Sequence, residues 1–229
     1  MYYNYSMYEN LPFRGPFTAA ETDNCGYYTK IFFPNYRRNI LIKELTNLRP
    51  HNEIVTNYDI GTFFADVGST HCFLLSREYG LYRFIPPVQL VWGKNKQGVN
   101  RGYVLMKKVI GQDIYHYYNI DNAVATQLDE LISISIRMGQ DNLDLFFRER
   151  RIPDIINGSG FINIMIGTID SNLQSKPYLV DTYPAKTWSD YEITTWNFAI
   201  NDLSRRCNGF SFDRTKIALR SFLKSPQLK

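Results

Sequence analysis

From Gly26 the chain reads Tyr27-Tyr28-Thr29-Lys30-Ile31-Phe32-Phe33, a β-branched and aromatic run closed by Pro34 and Asn35, and this pattern predicts a strand. The next run has a different period. Ile40, Leu41, Glu44, Leu45 and Leu48 fall at helical spacings and Pro50 stops them, which predicts a helix over 39–48. Two strands are expected over 70–75 and 80–85, around a turn at Arg77-Glu78-Tyr79-Gly80 and ahead of Pro86-Pro87. A polar loop over 94–98 then leads into a further strand at Tyr103-Val104-Leu105-Met106. The first part of the chain is therefore expected to be strands with one helix.

Past residue 120 the apolar period becomes helical. Asp121 or Asn122 caps a helix whose apolar positions include Ala125, Leu128, Leu131, Ile132 and Met138, with Gly139 at its end. A helical piece over 143–150 is followed by a loop holding Pro153, Gly158 and Gly160. Two short strands, 162–166 and 178–180, are joined by a polar hairpin over 168–176. Helices are expected again over 190–205, capped by Ser189 or Asp190, and over 214–223. The expected class is α+β, with a strand-rich lobe over 1–108 and a helix-rich lobe over 109–229.

Composition narrows the function classes. A chain of 229 residues with 44% hydrophobic and 21% charged residues has enough apolar material for a packed core without metal or disulfide staples. Its excess is aromatic, with 17 Tyr and 15 Phe. A net charge of +4 with no basic block indicates neither nucleic acid nor a membrane surface as partner. No run reaches the length of a membrane span, and no basic segment followed by an apolar stretch opens the chain. Cys25, Cys72 and Cys207 are widely spaced and read as reduced thiols, so a cytoplasmic address is expected; an effector exported without a cleaved signal has the same pattern. His51, His71 and His116 are scattered, which gives a zinc site or a hydrolase triad no support.

Phosphate chemistry has better candidates. Lys30 lies within an apolar strand, where an unpaired ammonium is costly, and Glu44 on the following element is a carboxylate able to hold it. A lysine fixed in this way suits a triphosphate; the plainer alternative is a solvent-facing lysine and a surface glutamate. Gly15, in Phe13-Arg14-Gly15-Pro16-Phe17, belongs to a turn whose main-chain N–H groups can cover phosphates, or to an ordinary loop. Arg83 is either a second phosphate ligand or a satisfied edge-strand arginine. Asn163 precedes one short strand and Asp181 follows the other, so the hairpin delivers two hard oxygen donors of the kind Mg²⁺ takes to one end. Turn and cap chemistry is the alternative for each. Asp154, in the loop before the hairpin, is placed to accept a proton from an attacking hydroxyl.

In this order the residues resemble a compact, divergent protein kinase, of the small bacterial effector type. Tyr27-Tyr28-Thr29-Lys30-Ile31-Phe32 looks like the strand that carries the phosphate-binding lysine, and Glu44 like its partner on the small-lobe helix. Residues 103–111 resemble the hinge strand and the glycine after it, which implies adenine beside Met106 to Lys108. Asp154, Asn163 and Asp181 look like the catalytic loop and the metal-binding aspartate. The sequence departs from the family where Asp154 stands nine positions before Asn163 instead of five, with no His-Arg ahead of it. Thr182-Tyr183-Pro184 replaces Phe-Gly after Asp181, and the 48 residues beyond it imply a truncated large lobe.

The resemblance implies an ATP- and Mg²⁺-dependent kinase acting on a protein hydroxyl in a crevice between the lobes. Lys30 and Glu44 would orient the phosphates, and Asn163 and Asp181 would hold the metal. A catalytically impaired pseudokinase that binds nucleotide is one alternative. A Tyr-rich structural or virion assembly protein is the other.

Overall fold

A computed structural model describes residues 3–6, 19–21, 29–34, 39–45, 78–95, 98–141, 156–157, 160–161, 163–170, 174–180 and 190–223. The chain divides into two compact units, one built from 1–73 with 86–108 and the other from 74–85 with 109–229. The expected α+β class is what the described residues form, with strands dominating the first unit and the α-helices all in the second.

The first unit holds one antiparallel sheet of six strands. These are β1 (Tyr3–Ser6), β2 (Ala19–Glu21), β3 (Thr29–Pro34), β4 (Ile40–Leu45), β5 (Val88–Lys94) and β6 (Asn100–Lys107). Their order across the sheet is β1-β5-β6-β4-β3-β2. The helix expected over 39–48 is thus corrected to a strand in the middle of the sheet, paired with β3 on one side and β6 on the other. Burial shows the reason: Ile40, Ile42 and Glu44 are buried while Leu41 and Lys43 are partly exposed, a period of two. Ile40, Ile42, Val91, Tyr103 and Leu105 form one core cluster on a single face. β5, which no alternation announces, is buried from Val88 through Gly93.

The second unit has a three-stranded antiparallel sheet in the order β11-β10-β7, made of β7 (Ile110–Asp113), β10 (Ile164–Thr168) and β11 (Lys176–Leu179). Gly111 and Gly167 face each other in register, and a Cβ at Gly111 would lie 2.0 Å from the Ile166 carbonyl oxygen. Only glycine permits so close an approach. A two-stranded ribbon pairs β8 (Ile156–Asn157) with β9 (Gly160–Phe161).

The described residues of this unit also form three α-helices: α1 (Asn122–Asp141), α2 (Asp190–Arg206) and α3 (Asp213–Leu223). Asp121 caps α1, its Oδ1 accepting the Val124 N–H at 2.8 Å. Leu131 through Ile136 are buried without a break, so α1 is wrapped by its neighbours, α3 and β11 among them. Asp129 of α1 is itself buried. Its carboxylate accepts the Thr215 N–H at 2.9 Å and the Thr215 hydroxyl at 2.7 Å, with the Arg214 N–H at 3.2 Å, so it caps α3 across the helix interface. α2 packs on the ribbon, where Phe161 meets Trp196 edge-on at 5.6 Å.

The strand expected over 80–85 is instead a 3-10 turn at Leu81–Phe84. Gly80 enters it with a φ of 78°, and Leu81 and Phe84, three residues apart, are its buried side chains. No described helix is long and apolar enough to cross a membrane.

Candidate functional site

The hairpin of β10 and β11 is formed as the sequence suggested, with Ile164 opposite Leu179 and Ile166 opposite Pro177. β11 is an edge strand, which tolerates the proline. Asn163 stands in a bend immediately before β10 with a φ of 58°, a left-handed conformation that asparagine adopts more readily than most residues. Its carbonyl oxygen accepts the Val180 N–H at 2.8 Å, which extends the pairing one step past the strands. Val180 immediately precedes Asp181 in sequence. Asp181, Asp154 and Gly15 lie outside the described residues.

The other end of the hairpin is tied down by charge. Lys176 Nζ donates to the Arg83 carbonyl at 2.8 Å and sits 4.9 Å from the centre of the Tyr178 ring. Arg83 donates through Nη2 to Glu130 of α1 at 2.5 Å and through Nε to the Gly80 carbonyl at 3.2 Å. Arg83 is thus a hydrogen-bonded arginine, but it lies in a 3-10 turn and not on the edge strand expected for it. Burial lowers the Lys176 pKa from its ordinary value, and the Arg83 cation adds to the shift. Burial raises the Tyr178 phenol, with the Asp170 charge acting in the same direction and a main-chain contact at Ile169 opposing both.

In the first unit, Lys30 and Glu44 are brought together, but by strand register instead of a helix, since Lys30 of β3 is directly opposite Glu44 of β4. The placement of Glu44 on a small-lobe helix is therefore corrected. Its carboxylate is nearly buried and has the Arg101 Nε at 3.7 Å, an ion-pair distance too long for a hydrogen bond. Met106 is buried in β6, opposite Leu41 and Val88. The N–H groups that follow it are already used, Lys107 donating to Pro87 at 2.9 Å and Lys108 to Asn39 at 2.7 Å.

The pleat separates these candidates. Glu44 lies opposite Tyr103 and belongs to the face of Ile42 and Leu105, whereas Met106 shares the other face with Leu41. Lys43, opposite Val104, also lies on the Met106 face. The sequence reading passed over Lys43 because a helix was expected there. The signal available was a lysine directly after the apolar triplet Ile40-Leu41-Ile42, which is how a lysine on a buried strand reads.

Among the described residues no three His, Cys, Asp or Glu side chains cluster as metal ligands. The sequence matches no protein-family model and no curated protein. Among solved structures the chain is similar to the Rio2 kinase–ADP/Mg²⁺–phosphoaspartate complex from Chaetomium thermophilum, at 12% identity and a TM-score of 0.42. That alignment covers 92% of this chain and 67% of the other.

Proposed function

We propose that this chain is a kinase-like phosphotransferase that uses ATP and Mg²⁺ and transfers to a hydroxyl of a protein. The observation that carries the reading is the main-chain hydrogen bond from the Val180 N–H to the Asn163 carbonyl, because it fixes Asn163 and the residue preceding Asp181 at one end of one hairpin. An amide oxygen and a carboxylate are hard donors that suit Mg²⁺ alongside phosphate oxygens and water. Bound Mg²⁺ supplies neutralisation of charge on the transferred phosphoryl group. In this reading Asn163 and Asp181 hold the ion, Asp154 accepts the hydroxyl proton, and Gly15 and the stretch Met106–Lys108 contact the nucleotide.

For the cation on the phosphates we assign Lys43 ahead of Lys30. β2, β3 and β4 are consecutive antiparallel neighbours, and Lys43 follows an apolar triplet on the third of them, which is where kinases carry the lysine of Val-Ala-Ile-Lys. Lys43 also shares a face with Met106, and Glu44 does not. Lys30 is then the register neighbour of Glu44 across β3 and β4.

The experiment is phosphate transfer from labelled ATP to a generic protein acceptor by the purified chain, with and without Mg²⁺. Asp181→Ala and Lys43→Ala should each abolish transfer in folded protein, and Lys30→Ala should retain it. Full turnover in Asp181→Ala would overturn the metal assignment, and full turnover in Lys43→Ala would return the phosphate role to Lys30. The second reading is a nucleotide-binding module without transfer. The nine-position spacing of Asp154 from Asn163 favours it. Mg²⁺-dependent ATP binding with no labelled product would establish it.

A further inference from the structure

α3 packs on α1 through one face and leaves the other to solvent. Thr215, Ala218, Leu219 and Phe222 are buried on the inner side. At the middle of the outer side Ile217 is 64% exposed. Arg214 stands three positions before it and Arg220 three positions after it, both exposed, so a guanidinium lies on each side of the isoleucine along the helix. Lys216, partly exposed, adds a third cation at the rim of this face.

A single exposed isoleucine is ordinary on a protein surface. The charge around this one is not balanced. Elsewhere in the unit Arg83 pairs with Glu130 and Arg206 with Asp202. Among the described residues the side chains of Arg214, Lys216 and Arg220 have no ion pair and no hydrogen bond. The one carboxylate that α3 places on this face is Asp213, in the first turn, where it complements the positive end of the helix. Three cations and one anion therefore surround an apolar centre. Nucleic acid calls for cations alone and a lipid surface for several bulky apolar side chains. One aliphatic side chain between two guanidinium forks matches a peptide whose hydrophobic residue is flanked by carboxylates.

We propose that the outer face of α3 is a docking surface for an acidic peptide segment of a partner protein. A hydrophobic side chain of that segment sits on Ile217, and its carboxylates pair with Arg214 and Arg220. Complementary charge steers the encounter and fixes the register, and the apolar contact at the centre excludes water. The proposal does not depend on phosphotransfer, so either can fail alone.

The test titrates the full chain into a fluorescein-labelled peptide of repeating Glu-Leu-Glu and follows anisotropy at low salt. Saturable binding is expected, weakening as salt rises, and a peptide with Gln in place of Glu should not bind. Arg214→Gln and Arg220→Gln should each weaken binding roughly threefold, and Ile217→Gln roughly tenfold. Asp213→Asn should strengthen it by about threefold, a gain that a merely structural role would not produce. Lys94→Gln removes a cation from the first unit and should leave binding unchanged. All five positions are exposed, and melting temperatures check that each variant is folded. No saturation at about 1 mM peptide would overturn the proposal, as would unchanged affinity in folded Arg220→Gln and Ile217→Gln. Tighter binding of a DNA oligonucleotide or of phosphatidylserine vesicles, lost in the same variants, would overturn it by assigning the face to nucleic acid or to a membrane.

Discussion

Val180 donates its main-chain N–H to the carbonyl of Asn163 at 2.8 Å, and Asn163 makes that bond from a left-handed backbone, φ 58°. Backbone and side chain at this position have separable jobs. Glycine accepts a positive φ without cost, whereas alanine pays about 1 kcal/mol for it. Asn163→Gly should therefore melt close to the native chain and Asn163→Ala lower. Both should lose Mg²⁺-dependent nucleotide binding, read by titration. A variant that keeps this binding would show that Asn163 serves only the bend.

Asp129 is the polar keystone between α1 and α3. Asp129→Ala strands two main-chain N–H groups and a buried hydroxyl, and should cost about 2–3 kcal/mol in urea denaturation. Thr215→Val keeps the main-chain bond and loses only the hydroxyl, so about 1 kcal/mol is expected. In the double variant the two costs should not add, because the hydroxyl bond is lost only once.

The helices were legible because their cues are local. Asp121 sits before an apolar stripe, and the periodic runs that define α2 and α3 appear in the sequence within a residue of their observed limits. The β10–β11 hairpin was legible for the same reason, as two short apolar runs around a polar turn. β4 was not. Ile40, Leu41, Glu44 and Leu45 satisfy a helical spacing, and the alternation of Ile40, Ile42 and Glu44 satisfies a strand equally well. Pairing with β3 and β6 decides between them, and β6 lies some sixty residues away in sequence. The same missing neighbour hid Lys43. Which residues share a face of the sheet is fixed by register, and register is not a local property.

Gly111 and Gly167 test how tightly the small sheet is built. A Cβ at Gly167 would lie 2.3 Å from the Ile110 carbonyl oxygen, a backbone atom that cannot rotate away. Gly167→Ala should destabilise the second unit by about 1–3 kcal/mol, the range for overpacking, and Gly111→Ala should behave alike. Gly98→Ala is the control, since its Cβ would meet nothing within 4 Å and only its φ of 78° would be penalised. Equal melting temperatures for the Gly167 variant and the native chain would mean that the strands separate freely.

Cys207 gives the chain a stability that depends on alkaline pH. The thiol is fully buried just after α2, and burial, opposed by the Arg206 cation and assisted by the Asp121 charge, pushes its pKa from 9.0 up to about 12. In the unfolded chain the proton leaves near 9, while the native state holds it to about 12. Below the lower value both states bind the proton and stability is independent of this group. Between the two values only the native state binds it, so stability falls as pH rises, by up to about 1.4 kcal/mol per pH unit. Tyrosines and lysines titrate in the same window, so Cys207→Ala supplies the comparison that cancels them. The variant should be less stable than the native chain near neutrality, because it leaves a small cavity. Urea midpoints collected from about pH 8 to about pH 11 should then show the gap closing as pH rises. A gap that stays constant across that range would mean the thiol ionises as readily folded as unfolded.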